Sequence, residues 1–114
     1  MRFHALGIVG LTVATFGCGG MRARNPVANG PRIVRITTFT FVPAVLTVSA
    51  RDSIVWVNDD AFAHTSTADG GAWTSGELSK GGRYSLTAPA PGRYTYHCAA
   101  HPGMQAVLEV RLDE

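Results

Sequence analysis

The chain has 114 residues, enough for one domain, and its 46% hydrophobic and 16% charged content suits a folded globule rather than a disordered chain. Formal net charge is +2, but Arg22, Arg24, Arg32 and Arg35 crowd one short stretch; from Ile36 onward five cations stand against eight acids, a net of −3. The body of the protein therefore lacks the basic face that nucleic-acid binding requires.

The N-terminal residues read as an export signal. Arg2 gives a positive start, and Ala5 to Phe16 form an apolar run too short to span a bilayer. The run ends in Phe16-Gly17-Cys18-Gly19-Gly20, which resembles a bacterial lipoprotein cleavage site, where the cysteine is acylated and becomes the new N-terminus. Thr15 departs from the large aliphatic residue usual three positions before that cysteine. Residues 1–18 are expected to direct export, with Cys18 as the lipidation site. That places the protein in the cell envelope (periplasm or outer surface), touching a membrane only through this anchor. Gly19 to Pro31, rich in Gly, Pro, Asn and Arg, reads as a flexible tether. Its root-mean-square span is about 20 Å. The folded domain, expected to be a monomer, then covers residues 32–114.

Within that domain every segment reads as strand or turn. Ile33 to Phe41 is β-branched and aromatic and ends at Pro43. Val45 to Ser49 alternates, and Arg51-Asp52 makes a turn. Ser53 to Asn58 carries apolar residues of both parities, the pattern of a strand buried on both sides. Asp59 to Lys80 is a long polar excursion, and loops of that length in compact domains are usually functional. Tyr84 to Thr87 is a further strand, and Pro89 to Gly92 a turn. Tyr94, Tyr96 and Cys98 share one parity of the next strand, as do Met104, Leu108, Val110 and Leu112 on the last. No window sustains a helical period. Short strands at regular spacing with Gly/Pro turns predict an antiparallel β-sandwich.

The chemistry is concentrated in Cys98-Ala99-Ala100-His101-Pro102-Gly103-Met104. Thiolate, imidazole and thioether stand at three-residue steps, and Pro102 and Gly103 are expected to bend the chain so that all three converge. A second imidazole completes the set, and His64 on the polar excursion is the credible donor, since His4 leaves with the signal. Two imidazoles and a thiolate with a weak axial thioether define a blue-copper electron-transfer site. Soft sulfur suits Cu(I) and imidazole suits Cu(II), so one ion can change oxidation state with little ligand movement. Zinc is the chief alternative metal, but its structural sites lack thioether ligands. A disulfide is not expected, because Cys18 sits in the targeting segment.

The sequence resembles the cupredoxins, in particular their plastocyanin, amicyanin and pseudoazurin branch, from about Phe41 to Val110. The matching residues are Phe41-x-Pro43, Val55 and Trp56 ahead of Asn58, His64, Ser75-Gly76-x-Leu78, Gly81 and Tyr84. They continue in Pro91-Gly92-x-Tyr94-x-Tyr96-x-Cys98 and His101-Pro102-x-Met104. The resemblance implies an all-β Greek-key β-sandwich with copper near one end and His101 close to the surface, where apolar residues receive redox partner proteins. It also implies that the Thr65 backbone N–H donates to the Cys98 sulfur, although the family often has Asn there, and that the Thr65 hydroxyl could tether the ligand loop. Arg51 stands where the family commonly has Gly, so a turn needing positive φ would strain it. His97, opposite in parity to Cys98, is expected at the surface.

The expected function is a one-electron carrier between exported redox partners, not an enzyme. Copper storage or delivery is the alternative. It favours exchangeable Met- or His-rich sites, and Met21 and Met104 are the only methionines beyond the signal. A nitrite reductase or multicopper oxidase needs a second copper centre, and His64, His97 and His101 are too few to build one.

Overall fold

A computed structural model describes residues 32–112, which form eight strands and no helix. The expected signal, Cys18, the tether at 19–31 and the last two residues lie outside the described residues. The strands are β1 (Arg32–Thr37), β2 (Thr40–Val42), β3 (Val45–Ser49) and β4 (Ser53–Asn58), then β5 (Thr67–Ala68), β6 (Arg83–Thr87), β7 (Gly92–Cys98) and β8 (His101–Arg111). They make two four-stranded sheets, ordered β2-β1-β4-β6 and β3-β8-β7-β5. The expected Greek-key sandwich is what the chain forms.

One expectation is corrected. The sheets are mixed rather than antiparallel throughout: β1 runs parallel to β4, and β3 runs parallel to β8. Strand alternation encodes which face is buried, not which neighbour a strand takes, so parity could not reveal these pairings.

The core lies between the sheets. Val34, Ile36, Phe41, Ile54, Trp56, Tyr96 and Leu108 are fully buried or nearly so. Trp56 packs against the rings of Tyr84, Trp73 and Tyr96 at centroid distances of 5.6 to 5.8 Å. Removing so large a buried ring costs about 3–5 kcal/mol in typical cores.

The first expected strand is broken in two. Thr38 and Phe39 turn the chain between β1 and β2 with φ of 52° and 56°, a conformation that costs a non-glycine residue of order 1 kcal/mol or more. Arg51, with φ 74°, is also left-handed, so the turn does require what the family supplies with Gly. Asp52 stabilises it by accepting the Ser49 N–H at 2.9 Å.

Candidate metal centre

β7 brings Tyr96 and Cys98 to the core side, and an irregularity in its pairing with β8 falls between His97 and Cys98. Such bulges re-aim side chains. The hairpin turns at Ala99–Ala100, with Cys98 opposite His101. Pro102 and Gly103 therefore lie within β8 and do not make the expected bend. The reversal is complete once Cys98 pairs with His101.

The Cys98 thiol is free and fully buried. Its sulfur accepts the Thr65 backbone N–H at 3.3 Å, as the resemblance implied. The Thr65 hydroxyl accepts the Ala99 N–H at 2.8 Å, so one residue holds both the sulfur and the start of the loop. His64 Nδ1 stands 3.7 Å from the same sulfur.

His64 is itself fixed from several sides. Its backbone N–H and C=O both pair with Leu78, at 3.1 and 2.8 Å. Buried Asn58 shapes the approach: its amide donates to the carbonyls of Phe62 and Leu78, and its oxygen accepts the Asp60 N–H. The Asp60 carboxylate lies 2.9 Å from His64 Nε2. Phe39 N–H above all, with Thr38 N–H and His64 behind it, holds that carboxyl below its ordinary range. An ionised carboxylate only accepts, so Nε2 is the donor in this pair, and in the neutral imidazole that leaves the Nδ1 lone pair facing the sulfur.

His101 is half-buried at the head of β8, its ring centroid 5.5 Å from that of His64. The Phe39 ring meets both imidazoles edge-on at 5.1 Å. Met104 is buried in the same apolar cluster as Cys98. Burial pushes the Tyr96 hydroxyl up to about 12, so it stays neutral beside the site. Among the described residues, no three His, Cys, Asp or Glu side chains are drawn tightly around one point. The fold brings His64 and Cys98 together outright, with the His101 ring beside them.

His97 sits away from this group. Its Nδ1 bonds to Asp69, whose carboxyl is held low first by the Thr95 hydroxyl and then by His97. Sequence reasoning missed the parts played by Asp60 and Phe39. An acid four residues before a candidate imidazole was the available signal for the first.

The donor chemistry fits copper. A thiol with one backbone donor, an imidazole offering its lone pair to it, a second imidazole and a buried thioether combine soft and borderline ligands. The comparisons agree. Residues 32–112 match the family of copper binding proteins described as plastocyanin/azurin. Amicyanin of Paracoccus denitrificans is 33% identical over 93 residues, covering 77% of this chain and 71% of the relative. Plastocyanin of a Synechococcus strain is 30% identical over 105 residues, covering 75% and 76%. A solved Cu(I) form of an amicyanin variant superposes with a TM-score of 0.68 at 30% identity, over 75% of this chain and 87% of that one. A copper-containing nitrite reductase from Thermus scotoductus gives 0.69 at 26% identity, but the match spans only 23% of that chain.

Fold and donor set together define a copper-binding β-sandwich protein. The chain belongs to the plastocyanin/azurin family of copper-binding proteins, with copper as its cofactor and electron carriage as its general role.

Proposed function

We propose that this chain is a mononuclear blue-copper electron carrier, its ion held by His64, Cys98, His101 and Met104. The observation that carries this reading is His64 Nδ1 facing the buried Cys98 sulfur at 3.7 Å, with the Thr65 N–H on that sulfur. When bound, copper supplies one-electron exchange between Cu(II) and Cu(I). Cys98 would contribute the thiolate, His64 and His101 the two imidazoles, and Met104 a weak thioether. The Thr65 N–H disperses charge on the sulfur, and burial of His64, Cys98 and Met104 excludes water.

His101 is half-buried, with exposed Ala99, Ala100 and Pro102 beside it in sequence and the Phe39 ring against its own. That apolar rim suits docking of an exported redox partner. The protein transforms no substrate: the likeness to nitrite reductase covers a minor part of that enzyme, and His97 is engaged by Asp69 rather than free for a second centre. The export signal and the Cys18 lipid anchor, read from sequence, place it in the cell envelope on the tether of residues 19–31.

The test is spectroscopic. Cu(II)-loaded protein is expected to be intensely blue through thiolate-to-copper charge transfer, and Cys98→Ser to be colourless while the apo fold persists. Colourless wild-type protein at full Cu(II) occupancy would sink the site.

A further inference from the structure

Three N–H donors converge on the Asp60 carboxylate. Thr38 N–H reaches Oδ1 at 2.6 Å, Phe39 N–H reaches Oδ2 at 2.8 Å, and His64 Nε2 stands 2.9 Å from Oδ2. The first two come from consecutive left-handed residues, a conformation neither Thr nor Phe adopts readily. A carboxylate taking both amides of such a turn holds it in place. The turn carries Phe39, whose ring lies against His64 and His101 together, while Phe62 backs it from the other side at 5.2 Å. Phe39 keeps 43% of its surface exposed. An apolar residue half in water and on a costly backbone needs a reason to be there.

We propose that Asp60 is a positioning residue for both imidazoles: it fixes the tautomer and plane of His64 directly, and through the Thr38–Phe39 turn it seats the Phe39 ring that steadies His101. This rests on the reading of His64 and His101 as ligands. The two contacts differ in kind. The one to His64 is a charge-assisted hydrogen bond that leaves the Nδ1 lone pair free and makes the ring a better donor. The one to His101 is ring packing that limits rotation of an imidazole which lacks any hydrogen bond to protein among the described residues.

The chemistry singles out a carboxylate. Asn at position 60 offers one acceptor oxygen to three donors and turns an NH2 group toward the rest. Asp60→Asn is therefore expected to break the arrangement without changing the volume, and Asp60→Glu to restore part of it. Phe39→Leu should release His101, while the bond from Asp60 still holds His64.

The experiment uses the full chain, first without metal. Nitrogen-15 NMR of the imidazoles should show His64 as the Nε2–H tautomer in wild type and as a mixture in Asp60→Asn. Exchange of the Thr38 and Phe39 amides should speed up in the same variant. With Cu(II) bound, Asp60→Asn should stay blue but raise the reduction potential, since the ring loses an anionic partner. It should also weaken copper affinity about ten- to hundredfold, the range typical of lost partners to ligating His. Phe39→Leu should broaden the His101 signals and leave the His64 tautomer unchanged. Wild-type tautomer, amide exchange and potential in Asp60→Asn would overturn the proposal. Should Asp60→Asn fail to fold, a wild-type apo protein with His64 protonated on Nδ1, or with freely exchanging Thr38 and Phe39 amides, overturns it equally. Intact apo-state behaviour in a protein that never turns blue would instead remove the ligand assignment beneath it.

Discussion

The two sides of the candidate site are built differently. On one, His64 is fully buried, tied through its backbone to Leu78 and through its ring to Asp60, and the loop leading to it is laced by Asn58. On the other, His101 heads a hairpin whose turn, Ala99–Ala100, is exposed, and its ring packs against Phe39 with no hydrogen bond to it among the described residues. One imidazole is set by the fold before any metal arrives, and the other is set by packing at the surface. The proposed carrier has a use for both, because a fixed side keeps reorganisation small and an accessible side leaves an edge open to a partner.

That contrast can be broken most directly in the apo protein. His64→Ala leaves the Asp60 carboxylate short of a buried partner and opens a hole, so it is expected to cost about 2–3 kcal/mol. His101→Ala, at a half-exposed position, should stay within about 0.5 kcal/mol. Urea unfolding of both variants checks the difference, and equal losses would mean that the two sides are equally built in.

Thr65 links the sides, since its hydroxyl accepts the Ala99 N–H across the site. Thr65→Ala should cost about 1 kcal/mol, the usual net worth of one such bond. Hydrogen exchange should show Ala99 opening faster while the Leu78 amide, paired with His64 O, keeps its protection.

The smallest expected effect lies behind the hairpin, at exposed Asp69. Its carboxyl is held low by Thr95 and His97, so it binds its proton less readily in the folded state than in the unfolded one. The stability it lends is full above about pH 4, the ordinary carboxylate value, and fades as pH falls through its lower folded value. Asp69→Asn should therefore lower stability slightly at neutral pH, converge with wild type in acid and so reduce the acid slope, as urea titrations from pH 7 to 3 would show. A variant with the wild-type acid slope would detach Asp69 from the packing of this face.

Much of this was legible because local pattern carries it. The strand Ser53–Asn58, buried on both faces as its apolar residues of both parities indicate, and the Cys98–Met104 spacing are each contiguous in sequence. The Thr65 bond to sulfur and the left-handed Arg51 turn were legible only through family likeness, since neither residue type announces its role. The parallel pairings, the break at Thr38–Phe39 and the reach of Asp60 were not legible. Each depends on what a distant segment presents: a turn without Gly or Pro gives no local sign, and an acid in Asp59-Asp60 reads as solvated until its donors from the β1–β2 turn are seen.

The parallel pairing of β3 with β8 joins residues 62 positions apart, Val45 to Val107 and Thr47 to Glu109 among them. β8 is an inner strand of its sheet and the last of the described strands. Without it β3 has no partner in the sheet and β7 lacks half its ladder, so sheet closure must wait for β8. Topologies dominated by such distant pairings fold slowly. The same strand carries two of the proposed ligands, His101 and Met104, so closing the sheet and completing the proposed donor set are one event. A folding intermediate in which β8 has not yet docked holds only part of the proposed donor set, so it offers copper no finished site.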